Sequence, residues 1–316
     1  MTKYARSFKS IMFIRIAFGV VALLAGCTPS EEDITAPPPQ SPDSISVTDS
    51  TGALVTLPQA AQRVVALAPH IVENLFSVGA GDELVGVVAY SDFPEAAKKL
   101  PLVGGYSNTN LEKIVELAPD LIIAWESGNA SDGINRLREL GFTIYLDQPD
   151  NLEDVAKSLR DFGILTGHAE RGELAATDFL QKIAAARAAT SNKSTVSTFY
   201  QVWNDPLQTI NGSHIISDAI ELCGGQNIYA DEPMVAPVIN IESIIERDPQ
   251  AIIASGMSSS RPEWLDEWQQ WPSLTAVQQD NLFFVDPDHI QRHTVRILLG
   301  IAAICQQLDS AREKQK

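Results

Sequence analysis

From residue 61 onward the chain alternates short unbroken apolar runs with segments whose apolar residues recur every three or four positions. RVVALAP, ELVGVVAY, DLIIAW and FTIYLD are of the first kind; HIVENLFSVGAG, NLEKIVELAP, GINRLRELG and NLEDVAKSLRDFGILTG are of the second. Runs without polar alternation mark strands covered on both faces, and the helical period marks the segments that cover them. Strand and helix in turn predict a parallel sheet wrapped by helices. A stretch of good helix formers follows, HAERGELAATDFLQKIAAARAATSNK, with neither Gly nor Pro after Gly172. The alternation then restarts with TVSTFYQVW, SHIISDAIELCGG, NIESIIERDP, QAIIAS, WLDEWQQWPSL and NLFFVD, and closes on TVRILLGIAAICQQLDSAREK. This pattern predicts an α/β protein of two lobes, residues 44–167 and 191–316, each a parallel sheet flanked by helices, joined by a single long connector helix over 168–190.

The second half repeats the first residue by residue. Aligning 110–125 with 240–255 pairs Asn110 with Asn240, Glu112 with Glu242, Ile114 with Ile244, Glu116 with Glu246, Pro119 with Pro249, Ile122 with Ile252, Ile123 with Ile253 and Ala124 with Ala254. Each copy reads as one physical unit. Asn caps a helix, Glu meets the positive end of its dipole, Ile faces the core, and Pro closes the helix before an apolar strand. Two related lobes facing one another enclose a cleft, which is where ligands bind.

The start of the chain has a different character. Lys3, Arg6, Lys9 and Arg15 precede the uncharged stretch IAFGVVALLAG and then Cys27, the layout of a secretory signal over residues 1–26. Leu24-Ala25-Gly26-Cys27 resembles the lipobox of bacterial lipoproteins, which implies cleavage before Cys27, a lipid on its thiol and a membrane anchor on the exported, periplasmic side. The Pro- and acid-rich segment TPSEEDITAPPPQSPDS has too little apolar content for a core, so 27–43 is expected to be a flexible tether. The whole chain carries 23 Lys+Arg against 40 Asp+Glu; removing the four cations of residues 1–26 leaves 19 against 40, a balance of −21. Such a surface repels nucleic acid and favours a neutral or cationic ligand. With Cys27 lipidated, Cys223 and Cys305 remain in a disulfide-permissive setting. They form either a bridge or two buried thiols, and are too few and too far apart for a CxxC redox site or a zinc cage.

YSDFP (90–94), NLEKIVELAPDLIIAW, LCGGQNIYAD (222–231) and DHIQRHTVRI (288–297) stand in the order found in the substrate-binding proteins of ABC importers with a rigid helical connector. In particular the chain resembles the periplasmic cobalamin (vitamin B12) binders, from about Arg63 to Leu308. The resemblance implies a monomer that holds a corrinoid between its lobes, hands it to the permease dimer of an ABC transporter, and uses no catalysis, no cofactor and no metal of its own. It places Tyr90 and Trp125 near the ligand, Tyr106 where the cobalamin binders have Trp, and Asp288 with Arg292 as a polar pair on the opposite lobe. It matches Glu112 and Glu242 to the two exposed glutamates, one per lobe, that dock onto arginine pockets of the permease, although each also complements its own helix dipole. One departure is Ala236, which falls where the second lobe of those binders carries a ligand-facing Trp; Trp203 in YQVWNDP is the candidate to fill the gap.

Three rival readings are open. One is a haem or ferric-siderophore binder of the same importer class, a haem calling for an axial Tyr or His, for which Tyr106 is the candidate. A metal-ion binder would draw on His70, His289 and His293 with Asp288. An exported hydrolase would need a triad, and only Ser213, His214 and Asp218 in NGSHIISD lie close together, whereas triad members normally converge from separate loops.

Overall fold

A computed structural model describes residues 44–314, and Cys27 with the signal and tether segments lies outside the described residues. The described chain begins with an antiparallel hairpin, β1 (Ile45–Thr48) and β2 (Leu54–Leu57). The first lobe follows as β3 (Val64–Ala66), α1 (Pro69–Ser77), β4 (Leu84–Val87), a 3-10 turn at 95–99, α2 (Leu111–Leu117), β5 (Leu121–Trp125), α3 (Ser131–Glu139), β6 (Ile144–Asp147) and α4 (Leu152–Leu165). The 22-residue α5 (Ala169–Thr190) leads to β7 (Val196–Gln201). Then come the short pair β8 (Trp203–Asn204) and β9 (Leu207–Gln208), α6 (Ile215–Leu222), β10 (Gly225–Asn227), α7 (Ile241–Arg247), β11 (Ala251–Ala254), a 3-10 helix at 263–270, α8 (Thr275–Gln278), β12 (Leu282–Phe284), α9 (Pro287–Ile290) and α10 (Ile297–Lys314).

The two four-stranded sheets are parallel and share one topology, β4-β3-β5-β6 in the first lobe and β10-β7-β11-β12 in the second. The duplicated unit recurs in atomic detail. Asn110 accepts from the Lys113 amide at 3.0 Å and Asn240 from the Ser243 amide at 2.8 Å, capping α2 and α7. Ile114 and Ile244 are fully buried. Both helices end in a left-handed residue, Ala118 (φ 44°) and Asp248 (φ 38°), before the shared Pro turns the chain into β5 or β11.

Strand side chains alternate between two covered faces, as the unbroken apolar runs require. Val64, Ala66, Leu121, Ile123 and Tyr145 face one cluster, while Val65, Leu67, Ile122, Ala124 and Ile144 face another. The first of these clusters is continuous across both lobes. It runs from β3 and β5 through Leu159 and Phe162 of α4, Phe179 and Ile183 of α5 and Ile216 of α6 to Val196 and Ile253 of the second sheet. At about 1.5–3 kcal/mol for each large apolar side chain buried, this shared seam joins the two lobes. Cys223, just after α6, and Cys305, in α10, form a disulfide whose Cα atoms are 4.7 Å apart, so the reading of two free thiols does not hold.

Candidate functional site

The carboxyl ends of both parallel sheets open onto one cleft of about 510 Å³ between the lobes, the position where open α/β folds bind ligands. The first lobe contributes Pro69, His70, Tyr90, Tyr106 and Trp125; the second contributes Gly256, Met257, Pro287, Asp288, Gln291, Arg292 and His293. Of the expected ligand-binding residues, the fold thus gathers Tyr90, Tyr106, Trp125, Asp288 and Arg292. A second hollow of about 500 Å³ is lined by Asp150, Glu153, His214, Asp218 and Glu221 and has no Tyr, Trp or Phe in its wall.

Tyr90 is 75% exposed and its backbone is left-handed at φ 66°, a conformation a bulky residue adopts only where its surroundings impose it. Tyr106 and Trp125 lie 6.0 Å apart between centroids, tilted by 46°. Trp125 ends β5, and Gly128 lies so close beneath it that a Cβ there would fall inside the indole. Asn129 fixes this wall. Its side chain accepts from the Trp125 amide at 2.6 Å and donates to the carbonyls of Leu67 (2.9 Å) and Tyr106 (2.5 Å), tying three loops together. Asn129 is invisible to motif reasoning because these partners are set by tertiary folding.

Asp288 and Arg292 do form a pair, 2.9 Å apart, but Arg292 also reaches across to the first lobe. Its Nη1 lies 2.8 Å from Glu73 and 2.7 Å from Asp92, and Arg296 adds a bond to Glu73 at 3.1 Å while its guanidinium stands 4.1 Å over the Phe93 ring. Burial alone would lower the Arg292 pKa, yet the hydrogen bonds to Asp92 and Glu73 and the charge of Asp288 outweigh it and push it up. For Asp92, burial would raise the carboxyl, and the bond to Arg292 brings it below the usual range instead. The cleft is therefore clamped by an ion network in which three carboxylates surround two guanidiniums. Asp92 sits inside the quoted YSDFP, but Glu73 reads in the sequence as an ordinary polar position of a core helix.

The floor is aromatic and imidazole. His70 meets Trp125 edge-on at 5.5 Å and His293 at 5.5 Å; behind His293, at 6.0 Å and outside the cleft, His214 lines the neighbouring acidic hollow. Burial pulls the His214 pKa down to about 4, against the nearby Asp150 charge. His293 is held well below its ordinary value by burial first, then by the neighbouring His70 and His214.

The remaining expectations separate. Trp203 does not line the cleft; its indole donates to the Asp205 carbonyl at 2.9 Å, and β8 and β9 pair with each other. Ala236 lies in the neighbouring loop, where its carbonyl accepts from Gln208. Glu112 and Glu242 are both exposed at the first turn of α2 and α7. The histidines named for a metal-ion reading are not gathered into one cluster. Among the described residues no group of three or more His, Cys, Asp or Glu is placed for a metal ion, and of its histidines only His70 and His293 line the cleft, His289 lying in α9. Nor do Ser213, His214 and Asp218 make a triad. Ser213 donates to Asn211, His214 Nδ1 accepts from the Ile216 amide and Asp218 accepts from the Leu152 amide at the start of α4, so each side chain has a separate structural partner.

Two homologous α/β lobes, set by a continuous core around an aromatic cleft at their strand ends, define a solute-binding protein. A family model described as "Periplasmic binding protein" matches residues 64–289, and the chain belongs to that family. It is 35% identical over 264 residues to the vitamin B12-binding protein of Vibrio cholerae serotype O1, covering 84% of this chain and 95% of the relative. It is also 36% identical over 259 residues to the vitamin B12-binding protein of Yersinia pestis, covering 82% and 90%. The crystal structure of the periplasmic vitamin B12 binding protein BtuF of Vibrio cholerae superposes with a TM-score of 0.74 at 35% identity over 80% of this chain and 98% of that one. The periplasmic haem-binding protein RhuT of Roseiflexus superposes at 0.69 with 22% identity, a likeness of fold. No helix among the described residues is long and apolar enough to cross a membrane.

Proposed function

We propose that the chain captures cobalamin or a related corrinoid between its lobes and delivers it to the permease of an ABC transporter, by binding and without catalysis. The observation that carries this reading is the cleft itself: flat rings of Tyr90, Tyr106 and Trp125 on one lobe face the Asp288–Arg292 pair and Met257 on the other. Rings cover the apolar body of a large planar ligand, and the polar groups meet its amide-bearing rim. The vitamin B12-binding relatives, similar over most of their length, support the same ligand. The ligand residues are Tyr90, Tyr106, Trp125, Asp288 and Arg292; Trp203 is left out.

Residues 44–167 and 191–316 form the lobes, with 168–190 as connector, and the shared core leaves little room for hinge closure, so affinity resides in a preformed cleft. Glu112 and Glu242, repeated and exposed, are the docking points for the two permease subunits, in keeping with a twofold-like protein meeting a twofold partner. Cys27 carries the lipid anchor on the periplasmic side, after removal of 1–26, and the protein works as a monomer. Titrating the purified protein with cyanocobalamin and cobinamide tests the ligand: saturable binding of either is expected, whereas a haem-like Soret band on purification, with no corrinoid bound, would shift the reading to haem, with Tyr106 as the axial group. Reversing both Glu112 and Glu242 to Arg should abolish uptake and leave ligand affinity intact; uptake at the wild-type rate would end the docking role.

A further inference from the structure

At the floor of the cleft, one histidine is held in the way a metal-bound histidine is held. His70 is 5% exposed and lines the cavity; behind it, its Nε2 lies 3.3 Å from Oδ2 of Asp147, the last residue of β6, which is 2% exposed. The other carboxylate oxygen, Oδ1, accepts from the Ser158 hydroxyl of α4 at 2.6 Å. Neither Nε2 nor Oδ2 makes a hydrogen bond of good geometry, so the 3.3 Å approach of the two is an electrostatic contact between otherwise unpartnered buried atoms. An ionised carboxylate beside a ring nitrogen favours the tautomer with the proton on Nε2, since the oxygen can only accept, and that tautomer leaves the ring lone pair on Nδ1. Carboxylate behind, imidazole in front and an unclaimed nitrogen toward a ligand cavity is the arrangement that fixes the tautomer and raises the basicity of metal-ligating histidines.

We propose that His70 is an axial ligand to the cobalt of the bound corrinoid, with Asp147 as its positioning residue. The inference rests on the corrinoid reading above and adds that the protein distinguishes corrinoids by whether their axial position can be exchanged. In the step implied, the Nδ1 lone pair forms a Co–N bond and a cobalt-bound water leaves with its own electron pair. Nε2 keeps its proton toward Asp147, and no electron changes hands. A single axial bond needs one imidazole and not the three-residue cage of a bare ion site. Cyanide on cobalt blocks the exchange, and water does not.

The test uses the wild-type protein with aquocobalamin and cyanocobalamin, reading visible absorption and affinity at neutral pH. Bound aquocobalamin should take on the spectrum that free imidazole produces in the same compound and be held at least about tenfold tighter than cyanocobalamin, whose spectrum should not move. In His70→Ala the spectral change should vanish and the affinity ratio fall to about one; using the ratio cancels whatever the substitution does to the cleft in general. Asp147→Asn, which keeps shape and removes charge, should give an intermediate ratio, and an unchanged one would remove Asp147 from the assignment. Wild-type protein that binds both corrinoids with no spectral change overturns the ligation and leaves the corrinoid reading standing, as does a change that survives in His70→Ala for His70 itself. Binding of neither overturns both.

Discussion

Glu73→Gln tests whether the ion network across the cleft holds the lobes together. The carboxylate is 2% exposed and its Oε1 lies 2.8 Å from Arg292 and 3.1 Å from Arg296, themselves only 14% and 15% exposed. Removing one charge from a buried pair costs about 3–5 kcal/mol, because the partner left behind keeps its desolvation penalty. Here the loss is cushioned, since Arg292 retains Asp92 at 2.7 Å and Asp288 at 2.9 Å and Arg296 retains the Phe93 ring. The expected cost is therefore about 3 kcal/mol, the lower end of that range. For a chain of this size it corresponds to a Tm lower by about 6–12 °C. Urea unfolding of the ligand-free protein should show the midpoint fall with an unchanged slope. Adding Arg296→Met should recover about 1 kcal/mol, because the second change removes a cation the first one stranded. A Glu73→Gln protein melting within about 1 °C of wild type would refute the argument, and the ion network would then contribute little to holding the lobes together.

Acid should weaken the fold through the buried imidazoles. His214 titrates at 6.5 when exposed and at about 4 when folded, so the penalty is absent above 6.5, grows as pH falls through that window and is complete below about 4. The stability lost is on the order of 3 kcal/mol, and His214→Asn, which preserves the cap of α6, should flatten that part of a pH series of urea midpoints. Replacing Cys223 and Cys305 by Ser opens a loop spanning 82 residues and should cost about 4 kcal/mol in the chain-entropy picture, read as a lower unfolding midpoint under non-reducing conditions. Trp125→Ala should weaken corrinoid binding by about tenfold to a hundredfold, whereas Trp203→Ala should stay within about twofold; isothermal titration of both separates the cleft aromatic from the surface one.

How far the chain could be read in advance followed the range of the interactions involved. The unit at 110–125 and 240–255 was legible because capping, dipole complementarity and the Pro boundary act within one turn of helix, and the structure reproduces each of them. The buried strands were legible because both faces of each sheet are covered. β10, the tripeptide Gly225–Asn227, has no apolar pattern and is a strand only because β7 lies beside it. Likewise Tyr90, Tyr106 and Trp125 could be nominated one by one, but Trp203, equally aromatic, stands outside the cleft with its indole donating to the Asp205 carbonyl.

What the amino-acid order determined by itself was the duplicated α/β plan, the acid balance and the aromatic and ionic residues from which a cleft could be made, since periodicity, charge and caps are properties of neighbours along the chain. What only the tertiary structure decided was partnership: Arg292 with Glu73 across 219 residues, His70 with Asp147, and Asn129 beneath Trp125 and Tyr106. The physical reason is that a buried charge or polar group must find its complement within about 3 Å in space, and nothing in the spacing of a sequence says which of many acids or carbonyls will be there once the chain has folded.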